Sequence, residues 1–293
     1  MCRQGTKKQH YVPQFYLKYF SNNEKVVVYD KKCMRMFSSN IRDICCKKHL
    51  YETEWQKPVN VMENYLLYND LEEDLSRKES KYAPLLSKII KLCSDECNLN
   101  ALICYSYEKE LLCNFLANLF CRSKWYIQDV DDEVRSEHIS DSYDLKEYRE
   151  TVEILGLGDF ETYVRAATKR AALNDKVDGS SAHMLKRQLE MMEFCFFTTQ
   201  EESFITADFP FVCTFNECEE TVLSTLFCPF HPKVGVVFFE PGTHEELHKF
   251  RNRVCRVDEE TAMKLNRIML NVEQIGYLIS SKQSLLDQVI ALS

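Results

Sequence analysis

The spacing of apolar positions changes twice along this chain, and the changes divide it into three blocks. The first block opens on His10-Tyr11-Val12-Pro13-Gln14-Phe15-Tyr16-Leu17-Lys18-Tyr19-Phe20. Pro13 fixes its own φ and pushes Val12 out of the helical region, so His10 to Val12 should be extended. A short helix should start at Pro13, with Phe15, Tyr16, Tyr19 and Phe20 making one aromatic face. An opening this apolar should be docked, not frayed. Lys25 to Asp30 alternates as a strand, and Cys33 to Phe37 reads as its hairpin partner.

The second block has helical periodicity. Val61 to Cys93 carries the stripe Val61, Tyr65, Tyr68, Leu71, Leu75, Tyr82, Leu86 and Ile89, and Pro84 should interrupt and kink it. Asn100 to Tyr126 predicts a second helix with Leu111, Leu112, Phe115 and Leu119 inward. Gln128 to Glu161 is acidic and reads as exposed helix. Tyr163 to Leu173 and Ser181 to Phe197 predict two more helices.

In the third block the period returns to two. Ser203 to Ala207, Phe211 to Phe215, Val222 to Cys228 and Lys233 to Glu240 read as strands, with a break at Pro229 to Pro232. Asp258 is a good N-cap for a helix reaching Asn271. Ile275 to Ser280 reads as a last strand before a short helix. Strands at both ends and helices between predict an α+β fold. A mostly antiparallel sheet of N- and C-terminal strands should pack on the helical block. Residues 1–293 read as one domain, with strands in 1–60, helices in 61–198, and strands with a helix in 199–293.

Composition narrows the function classes. No glycine lies between Gly5 and Gly156, and Gly156-Leu157-Gly158 lacks a third glycine and a Lys-Ser/Thr pair. P-loop and dinucleotide-binding readings are therefore rejected. The net charge of −8 is uneven: residues 1–60 carry 12 basic against 5 acidic side chains, the remainder 25 against 40. A basic segment on an acidic body leaves a local contact with nucleic acid or a nucleotide open, although a purely electrostatic binder is normally basic throughout. Fourteen cysteines without a leader-like segment or a long apolar run suggest a reducing cytoplasm and no membrane.

The same residues carry a resemblance. His10 to Phe20, Val28-Tyr29-Asp30, Glu79, Arg122, Phe204 to Pro210 with Ala207 in a serine place, and Asn266 resemble the prokaryotic domain of unknown function 4238 family. Phe227-Cys228-Pro229 departs from it, since the family often shows Leu-Ser-Pro there. The resemblance spans nearly the whole chain and implies a cytoplasmic prokaryotic protein. It also suggests an effector in host defence against phage or in a mobile element.

Glu79, Arg122 and Asn266 each fall on or beside the apolar stripe of a different helix. Asp208 sits at a strand end before a proline, and His10 precedes the aromatic stretch. Buried polar groups must be paired or used. Used, they form a metal-dependent phosphodiester hydrolase of nuclease type. Glu79, Asp208 and His10 hold Mg²⁺ or Mn²⁺, Lys81 completes a Glu-x-Lys pair, Arg122 stabilises phosphate charge and Asn266 orients it. Paired, they form an internal network in a binding or regulatory protein. Its partner surface would then be the aromatic opening or the acidic helices of 128–161. Cys46-x-x-His49 and Cys228-x-x-His231 offer four zinc ligands, but such pairs arise by accident among fourteen cysteines, and zinc is not expected.

Overall fold

A computed structural model describes residues 8–48, 50, 51, 70–95, 97, 100–136, 149, 150, 152, 154, 160–216 and 219–291. Its organisation follows from the opening stretch. Strand β1 (Lys8–His10) pairs antiparallel with β4 (Cys46–Lys48), with His10 opposite Cys46. Pro13 stands at the N-cap of α1 (Gln14–Leu17) with φ −59° and ψ 139°, and a 3-10 turn over Lys18–Phe20 follows. Tyr11, Val12, Tyr16, Leu17 and Phe20 are all buried. The aromatic opening is thus core and not a partner surface. The Tyr16 hydroxyl donates to the Pro229 carbonyl at 2.6 Å and shares a hydrogen bond with Thr206 at 2.7 Å. One side chain so ties the N-terminal helix to two C-terminal strands in different sheets.

The four-stranded sheet has the order β3-β2-β11-β6 and is antiparallel throughout. It joins β2 (Lys25–Asp30) and β3 (Arg35–Asn40) to β11 (Tyr277–Ser280) and β6 (Thr206–Ala207). The fold is α+β, and the expected mixing of N- and C-terminal strands occurs in this sheet. A second sheet has the order β10-β5-β9-β8-β7. It holds β5 (Glu193–Thr198), β7 (Val212–Asn216), β8 (Glu219–His231), β9 (Val234–Phe239) and β10 (Val254–Arg256), with β10 parallel to β5.

Three expectations about element boundaries are corrected. The helix expected to reach Phe197 is α6 (Ser181–Met191), and Glu193–Thr198 is strand β5. Phe194 to Thr198 are buried without alternation, as in a strand covered on both faces, and such a run has no period to read. The break expected at Pro229 does not occur. Strand β8 continues to His231 and takes up Pro229 at a register shift between Pro229 and His231, where a bulge tolerates a missing donor. The helix expected over Asn100 to Tyr126 is two, α3 (Ser106–Cys121) and α4 (Lys124–Ser136), parted at Arg122 and Ser123.

Helix α2 (Asp70–Ser94) runs on through Pro84, and the expected stripe residues Leu75, Tyr82, Leu86 and Ile89 are buried. Helix α5 (Phe160–Ala172) precedes α6. A one-turn helix, α7 (Glu245–His248), follows β9. Asp258 caps α8 (Glu259–Asn271) by accepting from the Thr261 amide at 2.8 Å. Helix α9 (Gln283–Ala291) closes the described chain. One buried apolar cluster runs from Tyr11 to Val289. Among the described residues no helix is long and apolar enough to cross a membrane. Most of the acidic stretch after Ser136, with Gly156 and Gly158, lies outside the described residues, as do His49 and the start of the stripe at 61–69.

Candidate functional site

Arg122 is the residue on which the polar groups converge. It follows the buried stripe of α3 by one step, three residues past Leu119, and is 3% exposed. Its Nη1 donates to Glu79 Oε1 at 2.6 Å, its Nη2 to the carbonyl of His10, and its Nε to the Tyr51 hydroxyl at 3.3 Å. The Tyr51 hydroxyl in turn donates to the His10 carbonyl at 3.1 Å, and the Tyr51 amide donates to Gln9 Oε1 at 2.9 Å. Burial works against the charged guanidinium, but Tyr51 and Glu79 outweigh it and hold its pKa above the ordinary value. Burial raises the Tyr51 phenol to about 12, with Arg122 opposing. Each of the three guanidinium nitrogens thus donates to a protein group, one of them the backbone of strand β1.

His10 lies beside this network. Its pKa is lowered, first by burial and then by Arg122, while the Arg42 carbonyl and Glu79 act the other way. The ring is therefore neutral at pH 7. Its Nδ1 lies 3.4 Å from Gln14 Nε2, and its Nε2 is buried without a hydrogen bond of normal geometry.

Asp208 occupies a different pocket of backbone. Its Oδ1 accepts from the amides of Gly276 at 2.9 Å and Tyr277 at 3.0 Å, and its own amide donates to the Tyr277 carbonyl. A Cβ at Gly276 would stand 3.1 Å from Asp208 Oδ2, so a larger residue there would make the carboxylate give way by a few tenths of an ångström. Burial raises the Asp208 carboxyl to about 6, against the two amides and Lys124, which lower it. Asn266 is 0% exposed and uses both ends of its amide: Oδ1 accepts from the Ile205 amide at 3.2 Å and Nδ2 donates to the Ser203 carbonyl at 2.7 Å. Lys81 is exposed on α2. Residues two apart on a helix leave it on nearly opposite sides, so the Glu-x-Lys spacing does not bring Lys81 to Glu79.

The structure therefore gathers His10, Glu79 and Arg122 and leaves Lys81 and Asn266 apart. Among the described residues no group of three or more His, Cys, Asp or Glu side chains stands where it could hold a metal ion. Glu79, Asp208 and His10 accordingly do not fit Mg²⁺ or Mn²⁺ as a set. Cys228 is buried with its Sγ 3.7 Å from the Pro229 carbonyl, and burial pushes its thiol far up.

Sequence reasoning missed a second polar seam between α2 and α3. Lys78 pairs with Asp175 at 2.5 Å and with Asp74 at 3.1 Å. Asn114 donates to Asp175 Oδ2 at 2.6 Å and accepts from the Tyr82 hydroxyl at 2.7 Å, and Asn118 donates to Asn114 Oδ1 at 2.7 Å. Burial alone would raise Asp175, but Lys78 and Asn114 hold it below the usual carboxylate range. The signal was present: Asn114, Asn118 and Arg122 recur at intervals of four on one face of α3.

The family described as "Protein of unknown function (DUF4238)" has a model that matches residues 8–282. No curated protein and no solved structure matches the chain.

Proposed function

The chain belongs to the DUF4238 family of proteins of unknown function, and from that premise we propose that it is a binding or regulatory protein whose polar residues form an internal lock. One observation carries this reading. Each nitrogen of the Arg122 guanidinium donates to Glu79, Tyr51 or the His10 carbonyl, and at 3% exposure the side chain is closed to a phosphate from solvent. A buried charge with every nitrogen hydrogen-bonded fixes register and orientation, the best-attested use of such pairs. Asn266 plays the same part for the segment leading into β6.

A second reading has one observation in its favour. Phosphodiester hydrolysis, metal-dependent or not, would employ the neutral His10 ring, whose Nε2 has no hydrogen bond of normal geometry, with Glu79 beside it. A cleavage assay separates the two. Plasmid DNA, single-stranded DNA and total RNA are incubated with the protein in Mn²⁺ or in EDTA, beside His10→Gln and Asp208→Asn. The lock reading expects no cleavage of any substrate. Cleavage that disappears in His10→Gln and persists in Asp208→Asn establishes a hydrolase that uses His10.

A further inference from the structure

Two tyrosines lie open at the start of α3. Tyr105 and Tyr107 are each 68% exposed, and Leu102, three residues earlier, is exposed as well. The two rings are parallel to within 8°, with centroids 6.2 Å apart. Asn252 pins the backbone that leads into them. The Ile103 amide donates to its carbonyl at 3.1 Å, the Cys104 amide donates to its Oδ1 at 2.9 Å, and its Nδ2 donates to the Cys104 carbonyl at 2.6 Å. The rings are fixed in turn by their neighbours. Lys88 Nζ lies 4.9 Å from the centre of the Tyr105 ring, and the Tyr107 hydroxyl donates to Glu108 Oε1 at 3.3 Å. Aromatic side chains that are exposed yet already held have given up freedom that binding would otherwise remove.

Size and charge narrow the occupant. An aromatic side chain offers about 150–250 Å², so the two rings expose on the order of 300 Å², and Leu102 brings the total to about 400 Å². That is the size of a functional patch on a monomer, but about half of the roughly 800 Å² that one partner gives to a stable interface. A second copy of the chain is therefore a poor fit, and a short linear segment a good one. Lys88, the cation beside Tyr105, donates to both carboxylate oxygens of Glu108, at 2.6 and 2.7 Å, so the pair brings no net charge. Base stacking of single-stranded nucleic acid goes with a positive groove, whereas this chain carries −8 overall. Among linear segments, one in the polyproline II conformation fits best. It advances about 3.1 Å per residue, so three successive residues span both rings. Its pyrrolidine rings lose no rotamer freedom on burial, and aromatic surfaces are what such segments dock on. We propose that the Tyr105 and Tyr107 surface binds a proline-rich peptide of a partner protein. The proposal deepens the reading of the chain as a binding protein and rests on it.

Fluorescence anisotropy tests this, with a labelled decaproline peptide as the probe and a labelled glycine-serine peptide of equal length as its control. Saturable binding of decaproline alone is expected. Tyr105→Ala with Tyr107→Ala should weaken it by about tenfold or more, and Met34→Ser, at an exposed side chain elsewhere, should leave it unchanged. Circular dichroism melts check that the variants fold. If the double variant fails that check, Tyr107→Ala alone is read, since it leaves the Lys88 contact with Tyr105 in place. No saturable binding of decaproline up to about 1 mM, equal binding of the two peptides, or equal binding by a folded variant overturns the proposal. So does tighter binding of a labelled oligothymidine, or sedimentation showing that the unaltered chain pairs through these tyrosines. None of these results bears on the Arg122 network, which the cleavage assay judges separately.

Discussion

Arg122 Nη2 donates to the carbonyl of His10, 112 residues earlier in the chain. The same guanidinium holds Glu79 at 2.6 Å, so strand β1 is fastened to α2 through the end of α3. Removing the arginine leaves Glu79 without its partner and the His10 carbonyl and Tyr51 hydroxyl short of one donor each. Arg122→Met should therefore cost about 3–5 kcal/mol, the usual consequence of breaking a buried pair from one side. Glu79 is 27% exposed, so water screens part of its loss, and Glu79→Gln should cost no more than about 1–2 kcal/mol. Lysine cannot span three acceptors with one fork, so Arg122→Lys should fall between the two. Urea unfolding monitored by circular dichroism gives all three values. An Arg122→Met variant as stable as the unaltered protein would remove the lock reading.

Asn266 supports a different piece of backbone. It is the one described side chain that meets both the Ser203 carbonyl and the Ile205 amide, and no water reaches it. Asn266→Ala leaves two buried backbone groups short of a partner, each costing about 1–3 kcal/mol. Asn266→Asp keeps the acceptor but loses the donor and buries a charge, so it should be at least as harmful at pH 7. Thermal melts of the two variants decide this. Asn266→Asp more stable than Asn266→Ala would show that the Ser203 contact contributes little.

The sequence made the helix stripes and the docked opening legible because each rests on periodicity. Leu75, Tyr82, Leu86 and Ile89 repeat at helical spacing and are buried. Strand β5 was not legible because a strand buried on both faces has no alternation to detect. The convergence of Glu79 and Arg122 was legible because a charged residue inside an apolar stripe must find a partner. What they converge on was not. Nothing local to Arg122 reveals that its other donors reach a backbone carbonyl and a tyrosine far off in the chain. Asp208 presents the same difficulty, since its partners are the amides of Gly276 and Tyr277, and amides carry no sequence signature. Lys81 failed for a simpler reason: the Glu-x-Lys spacing belongs to a strand, and α2 is a helix.

Among the described residues, Gly235 makes the tightest fit of any glycine. A Cβ at that position would stand 2.5 Å from Phe227 Cε2 and 2.9 Å from its Cζ. Phe227 lies on the neighbouring strand β8, two residues before Gly235's register partner Pro229, and is itself buried. Gly235→Ala must push the ring out of a packed core, at about 1–3 kcal/mol. Adding Phe227→Leu should recover part of that loss, because the smaller side chain frees the space. A double-variant cycle measures the coupling. Simple additivity of the two losses would mean that the backbone, not the ring, gives way.

The Asp208 carboxyl offers a test in pH. Its pKa rises on folding from the ordinary 3.8 to about 6, through burial against the opposing amides of Tyr277 and Gly276 and the charge of Lys124. Between these values the folded chain binds the proton more tightly than the unfolded one. This group's contribution to stability is therefore present at low pH and is lost as pH rises from about 4 to about 6. The full loss is on the order of 2–3 kcal/mol, from the free-energy equivalent of a pKa difference. Carboxylates lowered by partners, such as Asp175 with Lys78, slope the other way, so the total profile hides the effect and a variant must isolate it. Asp208→Asn keeps an acceptor for the Gly276 and Tyr277 amides and abolishes the titration. Its stability relative to the unaltered protein should rise between pH 4 and pH 6 and level off above. Urea unfolding at half-unit steps of pH follows the difference, and a flat line would mean that Asp208 ionises in the fold as easily as in water.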